Sequence, residues 1–349
     1  MADQPLTPTR QVRLDLRQSP GALADASALS TVCRSDSLLW LAGDEKPSRT
    51  IRLAATESGD SYSAPHMFPL ADLVTLPDGP EEEVDIEGLD IRDDFLWLVG
   101  SHSATRKRVH SDDDERKALK KLHTVEPHPN RDVILRIPLE GPNDDRLPVP
   151  AMTGRQRTAH LYTALRDALA DDKHLGPFLP IPGKDNGLDI EGLAVLDDSL
   201  LLGLRGPVLR GWAVILEVHP DALAHGGEDS YRKFFLDLGG LGVRDLCRIG
   251  GDVLILAGTT MALDGPTRLY RWPHATTTRT MAVLRHDQFT RLDLARDAHV
   301  EEGSDHPEGI TSAPGGDPAE VLVVYDSPST TRSTGDGTVL ADVYTLPSA

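Results

Sequence analysis

The 349-residue chain has little cysteine and comparatively few positive charges. Its two cysteines, Cys33 and Cys247, are too few for a disulfide framework, and we interpret them as small buried apolar residues. The chain carries 55 Asp and Glu against 36 Lys and Arg, which gives a formal net charge of −19. Such a surface repels nucleic acid and anionic lipid, so the composition argues against both as partners.

Long apolar runs and several common catalytic motifs are also missing. No apolar segment approaches the length of a membrane span, and the first residues contain no apolar signal core, so the expected location is the cytoplasm. The sequence contains no Cys-x-x-Cys pair, no glycine-rich phosphate loop and no nucleophile elbow. These absences disfavour zinc fingers, nucleotide-binding folds and serine hydrolases of that kind.

What the sequence does contain is a repeated motif. DIEGL occurs at residues 85–89 and again at 189–193, and the related HPEGI occupies residues 306–310. A polar turn and then a strongly apolar segment follow each copy, which is the pattern of a β-hairpin. Two further segments, 26–48 and 243–261, have the same pattern of a strand, a polar turn and an apolar strand, but their first residues match the motif less closely. We call these five segments, with the strands that follow them, the repeat units.

The repeat units predict an all-β fold, a single β-propeller domain of five blades that covers residues 1–349. Six blades are the alternative, if residues 101–188 contain a further one. The strand pattern at 10–16 is expected to complete the last unit and so close the ring. Outer strands are expected at 66–73, 231–238 and 280–287, and near 146–152 in the second unit.

Residues 101–188 are interpreted as insertions into the second unit. Two short helical insertions are predicted there, at about 105–123 and 157–171. In the first, Ser111 is the expected N-cap, with acidic residues in the first turn and lysines in the last.

In a propeller, the first strand of each blade begins where the second strand ends, at one mouth of the central channel. The motif therefore predicts that Asp85, Glu87, Asp189, Glu191 and Glu308 gather around one opening. Carboxylates brought together in this way repel one another unless they are protonated or bridged by a cation. A divalent cation with oxygen ligands is the expected cofactor, Ca²⁺ first and Mg²⁺ or Mn²⁺ next.

Four other residues at the predicted mouth are candidate catalytic residues. His102 and His306 are candidates to move a proton, and Arg205 and Arg244 are candidates to stabilise negative charge. With a bound cation they would form a centre that hydrolyses a small ester, lactone or phosphoester.

Two alternatives stay open at this point. The motif carboxylates could instead lock neighbouring blades together by accepting hydrogen bonds from backbone amides, a feature that repetition alone would copy. The protein could equally be a non-catalytic scaffold that binds a small molecule or a protein partner, with the helical insertions as docking elements.

The repeat units also resemble a known family. The segments DIEGLDIRDDFLWLVGSHS, GLDIEGLAVLDDSLLLGLRGPVLRGWAVILEV, RDLCRIGGDVLILAGTTMALDGPTRLYRW and HPEGITSAPGGDPAEVLVVYDSPS together resemble a bacterial β-propeller family known as domain of unknown function 3616. The resemblance implies a propeller fold and no particular reaction. The Glu-Gly strand starts are more loosely similar to the esterase-like domain of phytase-type proteins. Calcium-dependent lactonase propellers also have glutamate before glycine but continue with proline, where this chain has Leu89, Leu193 and Ile310.

Overall fold

The computed structural model describes residues 5–43, 46, 48–151, 157–223, 225, 230–261, 265–277, 279–295, 304–315, 317 and 319–347. Within these ranges the chain forms 24 strands, four short α-helices and five 3-10 turns, and the all-β prediction is confirmed. None of the described helices is long and apolar enough to cross a membrane.

The strands of the first half of the chain are β1 (Arg10–Asp15), β2 (Leu29–Ser35), β3 (Leu38–Gly43), β4 (Arg49–Ala55), β5 (Ser61–Pro69), β6 (Ile86–Arg92), β7 (Phe95–Gly100), β8 (Thr105–Arg106), β9 (Val125–Glu126), β10 (Ile134–Glu140), β11 (Leu147–Pro148) and β12 (His160–Tyr162). Those of the second half are β13 (Asp189–Val195), β14 (Leu200–Leu209), β15 (Trp212–Val218), β16 (Tyr231–Leu236), β17 (Gly242–Ile249), β18 (Asp252–Gly258), β19 (Arg268–Trp272), β20 (Val283–Leu284), β21 (Thr290–Asp293), β22 (His306–Ser312), β23 (Glu320–Asp326) and β24 (Thr338–Thr345). The α-helices are α1 (Ala22–Ser27), α2 (Glu115–His123), α3 (Leu165–Ala168) and α4 (Pro220–Leu223). The 3-10 turns are Leu70–Asp72, Pro129–Arg131, Gly176–Phe178, Gly183–Asp185 and His286–Gln288.

Each repeat unit is a sheet of consecutive antiparallel strands. The second unit has the order β11-β10-β7-β6, the third β13-β14-β15-β16 and the fourth β17-β18-β19-β21. The first unit (β2 to β5) and the fifth (β22 to β24) belong to one eight-stranded sheet. Strand β1 joins them, because it pairs antiparallel with β24 and, over two residues, parallel with β5. This arrangement is β-propeller-like.

The first strands of the units lie side by side at the centre. Strands β2, β6, β13, β17 and β22 contact one another in that order, and β22 also contacts β2. These strands are short and mostly buried, because the sheets pack face to face on both sides of them.

Most of the apolar core consists of layers between successive units. Phe234 of the third unit packs edge-on against Trp272 of the fourth, with ring centroids 5.3 Å apart. Leu41 of the first unit and Val324 of the fifth share another such layer. Cys33 and Cys247 are buried free thiols, as the sequence predicted.

Three details differ from the sequence prediction. The segment 280–287 contributes only the two-residue strand β20, which pairs with β16 of the third unit, and β21 is the outer strand of the fourth. The segment 157–171 contains strand β12 as well as the short helix α3, because Leu161 and Tyr162 pair with the free edge of β10. Helix α2 begins after Asp114, whose side chain accepts a hydrogen bond from the Lys117 amide, and not after Ser111.

Candidate functional site

Every first strand contains a β-bulge at the same place. The register of each first strand against its second strand skips one residue, and that residue has no partner across the ladder. A bulge re-aims the side chain that it carries, and bulges are common beside functional sites. The skipped residues, which we call the bulge residues, are Ser30, Glu87, Glu191, Arg244 and Glu308.

Three of the bulge residues form a chain of ion pairs. Nη1 of Arg244 lies 2.6 Å from Oε1 of Glu308 and 3.2 Å from Oε2 of Glu191. The other oxygen of Glu191, Oε1, lies 2.6 Å from Nη1 of Arg205 in the middle of β14. Both oxygens of Glu191, a side chain in a residue only 4% exposed, therefore face guanidinium groups.

Arg244 places a positive charge inside this cluster of carboxylates. In the fourth unit the sequence VRDL stands where the second and third units have IEGL, so arginine occupies the bulge position between two glutamates. A guanidinium with several donors can serve a carboxylate on each side.

The two motif aspartates are buried beside arginines of the same mouth. Oδ2 of Asp85 lies 2.5 Å from Nη1 of Arg131, and Oδ2 of Asp189 lies 3.8 Å from Nη1 of Arg205. Burial nevertheless raises the pKa of Asp85 above its usual range, and it raises the pKa of Asp189 to about 7. The negative charge of Glu191 adds to both effects, while the guanidinium groups oppose them.

The predicted metal centre does not fit this arrangement. Across the described part of the chain, no three His, Cys, Asp or Glu side chains are placed so that they could hold a metal ion. The oxygens of Glu191, and one of Glu308, are turned toward arginine. Glu87 occupies the equivalent bulge of β6 and is half-buried.

The two candidate histidines lie apart from the ion pairs. His102 follows β7 and is fully buried, and its Nδ1 lies 2.8 Å from the Gly100 carbonyl oxygen. Burial lowers the pKa of His102, and its Nε2 has no hydrogen-bond partner among the described residues. His306 starts β22 opposite Asp326 and lines a separate cleft.

Side chains also link the first strands by hydrogen bonds to backbone amides. Thr31 accepts from the Leu89 amide at 3.1 Å, and Asp245 accepts from the Ile310 amide at 2.8 Å. This is the kind of lock that the sequence left open as an alternative, and Thr31 and Asp245 provide it here.

In the second and third units the residue after the bulge residue is glycine, and the first strand of the next unit packs closely against it. A Cβ on Gly88 would lie 2.7 Å from Cβ of Leu193, and one on Gly192 would lie 3.1 Å from the backbone carbon of Asp245. The motif glycine is therefore needed for the packing of neighbouring first strands.

Sequence reasoning missed two arginines of the channel. Arg131 pairs with Asp85 and also with Glu83, and it lies shortly before β10. Arg248 pairs with Asp90 further along the channel, at 3.2 Å. The sequence contained one indication of the pair with Asp90. The copy of DIEGL at 85–89 is followed by the acidic Asp90, whereas the copy at 189–193 is followed by Ala194.

A large cleft lies between the fourth and fifth units. It has a volume of about 800 Å³ and lies between β21, β22, β24 and residues 5–11. We call it the inter-unit cleft. Ligand sites in proteins are commonly clefts of this size with a few convergent polar groups.

The strand organisation and the channel mouth place the protein in the class of β-propeller-like folds. Within that class, residues 28–342 match the family described as "Protein of unknown function (DUF3616)", and the chain belongs to this family. A comparison with curated proteins gives no match.

Several solved structures are distantly similar. An exo-beta-1,3-galactanase from Phanerochaete chrysosporium, in a structure with galactose, is 9% identical with a TM-score of 0.44, and the match covers 91% of this chain and 60% of that one. A protein of unknown function from Dyadobacter fermentans is 12% identical with a TM-score of 0.41, covering 97% and 99%. The fold assignment rests on this chain's own strand pairing and not on these similarities.

Proposed function

We propose that the chain is a propeller of five blades, closed by the N-terminal strand. The support is that five first strands contact one another in a cycle and that each carries a bulge at the same place. Strand β1 would then complete the fifth blade beside β24, and its short pairing with β5 would join the first and last blades.

We further propose that this propeller is a ligand-binding scaffold and that its mouth is an internal ion-pair network, without a hydrolytic metal centre. The observation that carries the proposal is the pairing of Glu191 with Arg205 and Arg244, which neutralises it within the protein. Because these side chains are buried and joined across units, their role is to hold the first strands together. The inter-unit cleft supports the ligand-binding part of the proposal.

A metal-dependent hydrolase that acts on a small ester, lactone or phosphoester is the second candidate. Asp85 and Asp189 favour it, because their raised pKa values show that the arginines do not fully compensate their burial. In that case Ca²⁺, Mg²⁺ or Mn²⁺ would bind beside these two carboxylates.

A hydrolase screen distinguishes the two candidates. Purified protein is assayed with chromogenic esters, lactones and phosphoesters, in chelator and then with added Ca²⁺, Mg²⁺ or Mn²⁺. The scaffold proposal predicts no turnover that depends on the ion. Turnover that requires a divalent ion and disappears in Asp189→Asn, but not in the exposed-site control Asp198→Asn, would establish the hydrolase instead.

A further inference from the structure

The inter-unit cleft is lined by apolar residues and by a buried polar wall. Pro8, Leu294 and Pro307 contribute apolar surface, and Asp342 and Tyr344 form the wall. The wall is deeply buried, since Asp342 and Tyr344 are each only 2% exposed. A pocket that combines apolar surface with a few buried polar groups is typical of sites that bind the body of an organic molecule and orient one polar group.

The carboxylate of Asp342 is fully engaged by protein groups. Its Oδ1 accepts a hydrogen bond from Gln11 at 2.9 Å, and its Oδ2 accepts from the Tyr325 hydroxyl at 2.7 Å and from Arg332 at 3.0 Å. The guanidinium of Arg332 also lies over the Tyr325 ring, 3.6 Å from its centroid. These contacts fix the wall in place, so the wall is pre-formed for a ligand.

The positions of the tyrosine hydroxyl protons determine whether the wall presents a hydrogen-bond donor or an acceptor to a ligand. The Tyr325 hydroxyl donates its single proton to Asp342, so in its 3.0 Å contact with Tyr344 it must accept. Tyr344 is therefore the donor in that contact, and its own oxygen keeps lone pairs that can accept. The wall thus presents an acceptor, and the matching ligand group is a hydrogen-bond donor.

The charged residues around the cleft determine whether it favours a positively or a negatively charged ligand. Three aspartates line it, Asp293, Asp305 and Asp342, against two arginines. Both guanidinium groups are already paired with these aspartates, Arg268 with Asp293 at 3.4 Å and Arg332 with Asp305 at 3.2 Å. Asp293 also pairs with Arg291 at 2.5 Å, so among the described residues that line the cleft no arginine is left over to attract an anion, and the net charge of −19 over the whole chain favours a cation.

We propose that the inter-unit cleft binds a small organic amine, with the apolar body between Pro8, Leu294 and Pro307 and the ammonium group donating to the Tyr344 oxygen. This inference rests on the proposed scaffold function and names its ligand class. An ammonium group has only donors, which match the acceptor at the wall.

The test uses phenethylamine as the probe and phenylacetate, of similar size and opposite charge, as its matched control. Binding to the full chain is followed by ligand-observed NMR titration. Phenethylamine is expected to bind and phenylacetate to remain free at the same concentration. Ala295→Trp, which fills the cleft, is expected to abolish binding.

Two tyrosine variants test the proton assignment. Tyr344→Phe removes the acceptor and is expected to weaken phenethylamine binding about five-fold, the effect of one ordinary hydrogen bond. Tyr162→Phe removes the hydroxyl of another buried tyrosine, which is bonded to Asp221 outside the cleft, and is expected to leave binding unchanged. If Tyr344→Phe does not fold, Ala295→Trp alone decides the matter.

Several outcomes would overturn the inference. Equal binding of phenylacetate would refute the charge argument, and unchanged binding in Ala295→Trp would refute the location. Loss of phenethylamine binding in Glu191→Gln, with Ala295→Trp unaffected, would move the ligand to the mouth and leave the scaffold function standing. Metal-dependent hydrolysis in the substrate screen would refute the scaffold function, whatever the cleft binds.

Discussion

The carboxylate of Asp90 on β6 lies 3.2 Å from Nε of Arg248 on β17, although the two strands belong to different sheets. The same carboxylate accepts a hydrogen bond from the Val195 amide on β13 at 2.7 Å. One side chain thus ties together the first strands of the second, third and fourth units. The stability of the central strands depends on such links as well as on the apolar layers between sheets.

Removing the charge of Asp90 is expected to destabilise the protein. In Asp90→Asn, Arg248 loses its ion pair, and we expect a loss of about 1–2 kcal/mol in the free energy of unfolding. Urea denaturation measures the change. The control is Asp93→Asn, on an exposed turn with a φ of 50° that asparagine tolerates, where a change under about 0.5 kcal/mol is expected. Equal effects at both positions would contradict the proposed link.

The pair formed by Arg244 and Glu308 should couple energetically. A double-mutant cycle with Arg244→Met and Glu308→Gln is expected to give a coupling of about 1–2 kcal/mol, because both side chains are largely buried. The exposed pair Arg17 and Asp15, with nitrogen and oxygen also 2.6 Å apart, serves as the matched cycle. It should give no more than about 0.5 kcal/mol. Comparable couplings in the two cycles would mean that the pair at the mouth stabilises the protein no more than an exposed pair does.

The motif glycine should not tolerate a side chain. Gly88→Ala places a methyl group 2.7 Å from Cβ of Leu193, and we expect a loss of about 1–3 kcal/mol as the neighbouring strand is displaced. Gly251→Ala is the control, because the nearest atom to its added Cβ is Oγ1 of Thr276 at 4.0 Å. Thermal and urea unfolding of both variants check the difference. A stable Gly88→Ala protein would show that the first strands are not packed as described.

The raised pKa of Asp189 makes stability depend on pH. Between its unfolded pKa near 4 and its folded pKa of about 7, the folded protein retains a proton that the unfolded chain has released. This group therefore stabilises the fold below about pH 4, and its contribution is lost as the pH rises through 7. Asp189→Asn should remove this pH dependence. The free energy of unfolding of the variant, relative to that of the wild type, should therefore rise by at least about 1 kcal/mol between pH 5 and pH 8.

Urea denaturation at pH 5, 6, 7 and 8 measures this effect. Asp198→Asn, on an exposed turn, is the control and should follow the wild-type curve. A wild-type curve that rises between pH 5 and pH 7, together with a variant that runs parallel to it, would contradict the account of Asp189.

The repeated motif was enough to predict the arrangement of strands in the units. DIEGL and HPEGI mark three of the five first strands, because glycine is required where neighbouring strands approach and a branched residue must follow in the core. The outer strands were harder to predict. The edge of a sheet accepts short segments from elsewhere, as β20 shows by pairing with the third unit.

The chemistry of the mouth was predicted only in part. The sequence indicated that Glu191, Glu308, Arg205 and Arg244 lie close together, and all four are joined by ion pairs in one chain. It could not show that Arg244 stands at the same bulge as the motif glutamates, since a bulge is defined by pairing between strands. The cation expected beside these acids stays a prediction, which a metal titration tests.

Titration of the metal-free protein with Ca²⁺, followed by calorimetry and by the melting temperature, tests the central claim most directly. If guanidinium groups neutralise the mouth, neither signal should change, and Mg²⁺ and Mn²⁺ should behave alike. Binding of one ion per chain, with a rise in melting temperature that Glu191→Gln and Asp189→Asn abolish, would contradict the account and establish a metal centre in its place.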